Sequence, residues 1–165
     1  MPRTLWCCGL AASGDWLPSP SVEAVIEYMR AAYDEWGWAD PMVELAVYDR
    51  RGESVPPAPG MSGDELVRQL LIIRHVDRGF YFEYSERLGR WLAAIDPAGG
   101  RAEWGPNMSH GDVAYFLATC LIPPAASERV VIDFVATQEP SAAVEWVPFE
   151  SLSPRRNQPP RRRRG

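Results

Sequence analysis

The sequence predicts an α+β domain in which a largely antiparallel sheet of about five to seven strands packs against two main helices. Three observations support this class. The chain has 165 residues, 46% of them apolar, which suits one domain with a core rather than two. Two segments have helical apolar spacing, and several runs alternate apolar and polar residues as strands do. The connections between those runs are too short for crossover helices, which favours antiparallel pairing.

The first predicted helix spans about 20–36. Its apolar stripe consists of Val22, Val25, Ile26, Met29, Ala32 and Trp36. Ser19 can cap this helix, Pro20 suits its first turn and Gly37 can end it. The following stretch "PMVELAVYD" alternates apolar and polar residues, which predicts a half-buried strand.

The middle of the chain predicts a hairpin between two loops. The stretch "RRGESVPPAPGMSGDE" is rich in proline and glycine and indicates a long surface loop. A hairpin is predicted from about Gln69 to Ser85, turning at Asp77–Gly79, although residues 64–70 fit either a short helix or a strand. Further strands are predicted at "RWLAAID", which "PAGG" closes, and at "AEW" and "DVAYFLATCLI", on either side of a loop "GPNMSHG".

A second helix is predicted over about 124–138. Periodicity alone leaves "ERVVIDFVA" open as a strand or a helix, but Pro124 suits a helix start and Phe134 fits the helical spacing. Pro140 stops this helix, and "AAVEWVPF" predicts a last strand with Trp146 facing the core. Residues 1–150 thus form the predicted single domain, and 151–165 a disordered tail rich in proline and arginine.

Charge is distributed unevenly along the chain. The net charge is −5, but residues 1–154 contain 11 arginines and 22 acidic residues, a net charge of −11. Such a body repels phosphate backbones and attracts basic partners. The six arginines behind Pro154 would attract phosphates only nonspecifically, so no specific nucleic-acid partner is predicted.

The sequence gives no sign of a membrane segment, a metal site or a cofactor site. No run of 18 apolar residues occurs and the N-terminal apolar stretch is too short for a signal peptide, so we expect a cytoplasmic protein. Cys7, Cys8 and Cys120 lack metal-binding spacing, and the adjacent pair is typical of small apolar side chains in a strand. No glycine-rich phosphate loop is present. We therefore expect no cofactor and no metal.

Candidate catalytic residues are few. His75 lies in an apolar run, which is typical of a structural or surface histidine. In "SHGD", Ser109, His110 and Asp112 offer the residue types of a small hydrolase. Neighbours in one loop seldom reach triad geometry, so a polar turn is favoured and no catalytic residue is predicted.

The tryptophans divide into two predicted groups. Those that fit core positions are Trp6, Trp36, Trp91 and Trp146. Trp38 and Trp104 lie beside loop residues and are better candidates for an exposed anchor, although packing under a loop fits them equally well.

The second half of the chain resembles a known family. In "FYFEYSERLGRWLAAIDPAGGRAEWG" a strand pair ends in a D-P-x-G-G turn, and "DVAYFLATCLIPP" leads through a proline into a helix. "VIDFVATQEPSAAVEW" then ends that helix before a V-E-W strand. This order is similar to that of immunity proteins of bacterial polymorphic-toxin systems, the α+β family usually encoded beside nucleic-acid deaminase toxins. The resemblance covers Phe80 to Phe149, and the order of elements from Ser21 agrees with it.

The resemblance implies a binding protein rather than an enzyme. Its partner would be a basic cognate toxin domain, a deaminase for this family, blocked by stoichiometric occlusion. The motif does not include the contact surface, so an interaction module for a non-deaminase toxin remains the alternative. The expected contacts are acids and aromatics at loops and strand ends of the better-matched half: Glu83, Glu86, Asp96, Glu103, Trp104 and Asp112.

One residue departs from the family pattern. Family members often carry a glycine after the A-T pair, where a left-handed residue ends the helix, and this chain has Gln138. Glutamine tolerates that conformation poorly, which predicts a different helix exit.

Overall fold

The computed structural model describes residues 3–8, 17–31, 42–49, 66–75, 79–87, 89–98, 104–109 and 112–152. The strands are β1 Arg3–Cys8, β2 Leu17–Pro18, β3 Met42–Asp49, β4 Leu66–His75, β5 Gly79–Glu86, β6 Trp91–Ile95, β7 Trp104–Ser109, β8 Asp112–Leu117 and β9 Glu145–Pro148. The helices are α1 Val22–Arg30 and α2 Pro124–Thr137, and short 3-10 turns occur at Ala118–Cys120 and Phe149–Ser151.

Seven strands form one antiparallel sheet in the order β2-β1-β3-β4-β5-β6-β9. The remaining two, β7 and β8, form a separate antiparallel pair. After β6 the chain leaves the large sheet, forms β7, β8 and α2, and returns as β9 beside β6. This arrangement confirms the predicted α+β class.

Helix α1 is shorter than predicted. Ser21, rather than Ser19, caps it by accepting a hydrogen bond from the Ala24 amide at 3.1 Å. The helix ends at Arg30 because Ala31 adopts an extended ψ of 157°. Residues 32–40, which include the predicted end at Trp36, lie outside the described residues.

Helix α2 begins and ends close to its predicted bounds. Its buried face includes Val130, Val131 and Phe134, and the Ser127 hydroxyl donates to the Ile122 carbonyl at 3.0 Å. The predicted change of exit was wrong. Gln138 adopts the left-handed conformation at φ 59°, and its amide donates to the Phe134 carbonyl at 2.7 Å. That bond satisfies a helix-end carbonyl and offsets part of the conformational cost.

The sheet has two different faces. Both helices cover the first, which we call the helix face, whose core includes Leu45, Leu70, Phe82 and Leu92. On the opposite face, which we call the second face, β3 contributes buried Ala46 and Tyr48, which pack with Trp6. Strand β3 is therefore buried on both sides rather than half-buried as predicted.

Other boundaries were resolved or shifted. Residues 66–70 belong to β4, which pairs with β5 from Arg68–Glu86 to His75–Gly79 and confirms the hairpin. The predicted loop "GPNMSHG" was too long, since its first five residues extend β7 and pair with β8. Strand β8 ends at Leu117, before a 3-10 turn. The described chain continues to Leu152, so two residues of the predicted tail are structured.

Candidate functional site

Polar side chains cross the centre of the second face, where β4, β5 and β6 run side by side. The strand register places Gln69 opposite Ser85 and Ser85 opposite Trp91. In the next row, Leu71 lies opposite Glu83. These five side chains line a groove of about 200 Å³, which we call the β4–β6 groove.

Trp91 forms one wall of the β4–β6 groove and is held at two points. Its indole Nε1 donates to Glu83 Oε1 at 2.9 Å. Its ring stacks on Phe149, with centroids 4.2 Å apart and planes 5° from parallel. Trp91 is still 46% exposed, whereas Glu83 is 5% exposed. The prediction that Trp91 belongs to the core was therefore wrong. Trp91 is an aromatic side chain held in a fixed position at the surface.

A second carboxylate lies near the groove. Glu44 on β3 and Glu83 on β5 both lie opposite Leu71 of β4, from its two sides. Their backbones are thus two strand spacings apart, about 10 Å. The Ser85 hydroxyl donates to Gln69 Oε1 at 3.3 Å, and Gln69 hydrogen-bonds Glu44 in turn.

Burial raises the pKa of Glu44, and the hydrogen bond from Gln69 opposes this only in part. With a raised pKa, the folded protein keeps its proton at pH values where the unfolded chain has lost it. Stability therefore falls as the pH rises from the ordinary glutamate pKa of about 4.5 through the raised pKa. The cost of the buried charge is complete above that window.

We predict that Glu44→Gln increases the free energy of unfolding at pH 7 by an amount on the order of 1 kcal/mol. The gain should vanish below about pH 4, where both states of the wild type hold the proton. Urea unfolding at a series of pH values measures the difference. The matched control is Glu27→Gln at an exposed position of α1, which should change stability by less than about 0.5 kcal/mol. A gain that persists at about pH 3.5 would show that the buried charge is not its cause.

Arginines in the described strands lie on the other side of the sheet. In β1, Arg3 is two residues before Leu5 and four before Cys7, so it lies on the helix face with these two core residues. On β4, Arg68 pairs with Glu139 at 2.6 Å, and Arg74 donates to the Met29 carbonyl at 3.1 Å. Within the strands that the structure describes, the second face therefore carries acids and no arginine.

The structure separates the predicted contact residues of β5 and of the turn that follows β6. Glu83 is a nearly buried residue in mid-strand rather than an exposed acid at a strand end. Glu86 lies on the helix face. It accepts a hydrogen bond from the Tyr84 hydroxyl at 2.7 Å and pairs with Arg90 at 3.3 Å. The bond from Tyr84 lowers the pKa of Glu86. Asp96 accepts a bond from the Ala98 amide at 2.9 Å and so organises a turn.

The remaining predicted contacts lie on or beside the β7–β8 pair. Trp104 begins β7 and Asp112 begins β8, so the two residues are at opposite ends of the pair. Asp112 pairs with Ser109, which is five positions along β7 from Trp104, a distance of about 17 Å. Glu103 and His110 lie outside the described residues. The positions of Trp104 and Asp112 therefore belong to the separate β7–β8 pair and not to the strands that form the β4–β6 groove.

A larger cavity of about 350 Å³ lies between the ends of α1, α2 and β4. The charged side chains that line it bind other groups of the protein. Arg30 reaches Glu128 with two hydrogen bonds of 2.7 and 2.8 Å, and Arg74 donates to the carbonyls of Met29 and Ala31 at the end of α1. These contacts join the two helices to the sheet, and we interpret the cavity as structural.

His75 and the described cysteines belong to the interior. His75 is 5% exposed and packs edge-on against Phe116, with ring centroids 6.5 Å apart. Cys7 and Cys120 are buried, and burial raises the pKa of the Cys120 thiol to about 11. A thiol with so high a pKa is protonated near pH 7 and is a poor nucleophile.

Sequence reasoning missed most of the groove. It identified Glu83 but not Gln69, Leu71 or Ser85, and it assigned Trp91 to the core. The alternation Tyr81, Glu83, Ser85 along β5 was the available signal, since alternate residues share a face.

Neither described helix is long and apolar enough to cross a membrane. In the described part of the chain, no three histidine, cysteine or acidic side chains are grouped so that they could hold a metal ion. The chain matches no family model and no curated protein.

Proposed function

We propose that this protein is an immunity protein that binds a basic toxin domain of the nucleic-acid deaminase type and blocks it stoichiometrically. The observation that carries the proposal is the charge segregation of the sheet. The second face carries Glu44, the nearly buried Glu83 and an exposed, fixed Trp91, while the arginines of β1 and β4 lie on the helix face.

This surface suits a basic protein partner better than a nucleic acid. A net charge of −11 over residues 1–154 repels phosphates and steers a basic protein towards the chain. Rigid aromatic side chains that become buried on association are the residues that hold such complexes together. Trp91 meets this description, because its ring is already fixed by Glu83 and Phe149.

The requirements of a deaminase explain how such binding would inhibit it. An enzyme that acts on nucleic acid needs a basic groove, and it must bring the target base to a zinc-bound water. A protein of opposite charge can compete for that groove without any catalytic residue of its own. The resemblance of Phe80–Phe149 to immunity proteins points to the same class of partner, and that segment contains the strands from β5 to β9 and helix α2.

Protection of cells tests the proposal. The toxin domain encoded nearest the gene is expressed with and without this chain, and both growth and the frequency of deamination mutations are measured. We expect the chain to restore growth and return the mutation frequency to its background value. A chain that is folded and abundant in these cells yet gives no protection would contradict the proposal. Protection against a nuclease toxin instead would identify a non-deaminase partner.

A further inference from the structure

The β4–β6 groove has the size and chemistry of a subsite for one side chain. Its volume of about 200 Å³ is below the range of roughly 300–1,000 Å³ typical of small-molecule sites. It combines a carboxylate on Glu83, an aromatic ring on Trp91 and an apolar surface on Leu71. These are the partners required by a long cationic side chain, whose stem is apolar and whose end is charged.

We infer that this groove binds an arginine side chain of the partner protein. The inference rests on the proposed function, in which the partner is a basic toxin domain. The guanidinium would lie on the ring face of Trp91 that Phe149 does not cover and would pair with the Glu83 carboxylate. The apolar stem would contact Leu71, and Gln69 and Ser85 would border the remaining space.

The geometry favours arginine over lysine. A guanidinium is planar, so it stacks on an indole and can form paired hydrogen bonds with a carboxylate, which a compact ammonium cannot do. The Glu83 carboxylate accepts a hydrogen bond from the Trp91 indole, so the anion and the aromatic ring lie side by side. The two groups are therefore arranged for one shared cation.

The groove is organised before binding. Trp91 is held by a hydrogen bond of 2.9 Å and a ring stack of 4.2 Å, so little side-chain freedom is left to lose. Glu83 is 5% exposed and therefore poorly hydrated, which strengthens its attraction to a cation that displaces the remaining water. The nearby Glu44 carboxylate adds negative potential, and no arginine of the described strands neutralises it.

The first test uses a small probe and does not depend on any toxin. N-acetyl-arginine methylamide is titrated into the full chain, and the indole N–H resonance of Trp91 is followed by NMR, with Trp91→Phe to assign it. We expect a saturable shift at millimolar probe and no shift with the citrulline analogue, which has the same shape without the charge. Glu83→Gln should abolish the shift, because glutamine keeps the hydrogen bond to the indole but not the charge. Equal shifts with both probes, or none, would overturn the subsite.

The six tail arginines could also supply a guanidinium to the β4–β6 groove. One arm of the test distinguishes a tail arginine from an arginine of the partner. In a full-length variant these residues are replaced by serine: Arg155, Arg156, Arg161, Arg162, Arg163 and Arg164. We expect the probe to bind this variant as it binds the wild type. Binding that occurs only in the variant would assign the groove to the tail and overturn a partner arginine.

The second test measures inhibition of the toxin domain. We expect Glu83→Gln to weaken inhibition about 10-fold and Trp91→Ala roughly 30-fold, as for a desolvated anchor. Glu27→Gln removes the same charge from α1, across the sheet, and should change inhibition less than about 3-fold. Wild-type-like inhibition by both groove variants would overturn the inference and leave the proposed function intact. A wild-type chain that binds the probe but not the toxin would overturn the proposed function and the partner assignment, leaving an arginine subsite without that partner.

Discussion

Gly79→Ala is expected to lower the free energy of unfolding by roughly 3–4 kcal/mol. Gly79 has a φ of +103°, where an L side chain is strained, and a Cβ there would lie 2.3 Å from the Ile122 carbonyl oxygen. That oxygen cannot move freely, because it accepts a hydrogen bond from the Phe80 amide at 3.0 Å. The Ile122 amide in turn donates a hydrogen bond to the Phe80 carbonyl at 2.7 Å. The substitution therefore separates the start of α2 from β5, and urea unfolding measures the loss.

Gly89 provides the matched control. It also has a positive φ, of +90°, but nothing lies within 4 Å of a Cβ at that position. Gly89→Ala should thus cost only the backbone strain, roughly 1–2 kcal/mol. The difference between the two variants isolates the close approach to Ile122. Equal losses would show that the contact of Gly79 with Ile122 contributes little to stability.

Phe134→Ala is expected to be as damaging, with a loss of roughly 3–5 kcal/mol. Phe134 is 1% exposed and lies edge-on to Tyr84, with ring centroids 6.3 Å apart. Removing the ring leaves a cavity between α2 and the helix face of the sheet. The closely packed strands cannot move enough to fill it. The midpoint and slope of urea unfolding, compared with those of the wild type, give the change.

Ile132→Ala is the control for this prediction, because Ile132 belongs to the same helix and is 37% exposed. It should change the free energy of unfolding by less than about 1 kcal/mol. A loss at Phe134 no larger than at Ile132 would mean that Phe134 does not anchor α2 to the sheet.

Elements with a strong local pattern could be predicted from sequence. The apolar spacing of α1 and the proline at the start of α2 define these helices. Two β-rich runs separated by the turn Asp77–Gly79 define the β4–β5 hairpin. Gln138 was misjudged because residue preference was weighed without the hydrogen bond that supports its left-handed conformation. Local preference is a weak guide where the surrounding structure imposes the backbone angles.

The errors in the strands come from contacts distant in sequence. Strand β7 contains Gly105, Pro106 and Asn107, which favour a loop, yet the register with β8 makes them a strand. Strand β3 is buried on its second side by Trp6, a residue of another strand. No local pattern in either segment contains this information.

The candidate site was only partly predictable for the same reason. Glu83 was identified as an acid in a well-matched segment, but its burial depends on Trp91, eight residues further along the chain. Trp91 fits a core pattern by composition, and its exposure follows from its place at the first position of β6. The stack with Phe149 depends on the turn after β9, which no spacing rule predicts.

Titration of this protein into the deaminase domain encoded nearest its gene tests the central claim most directly. Deamination of single- and double-stranded substrates is followed as the chain is added at a fixed enzyme concentration. Stoichiometric inhibition predicts that activity is lost at one equivalent, with a stable complex whose association slows as salt is raised. Full activity at a large excess of folded chain would contradict the claim.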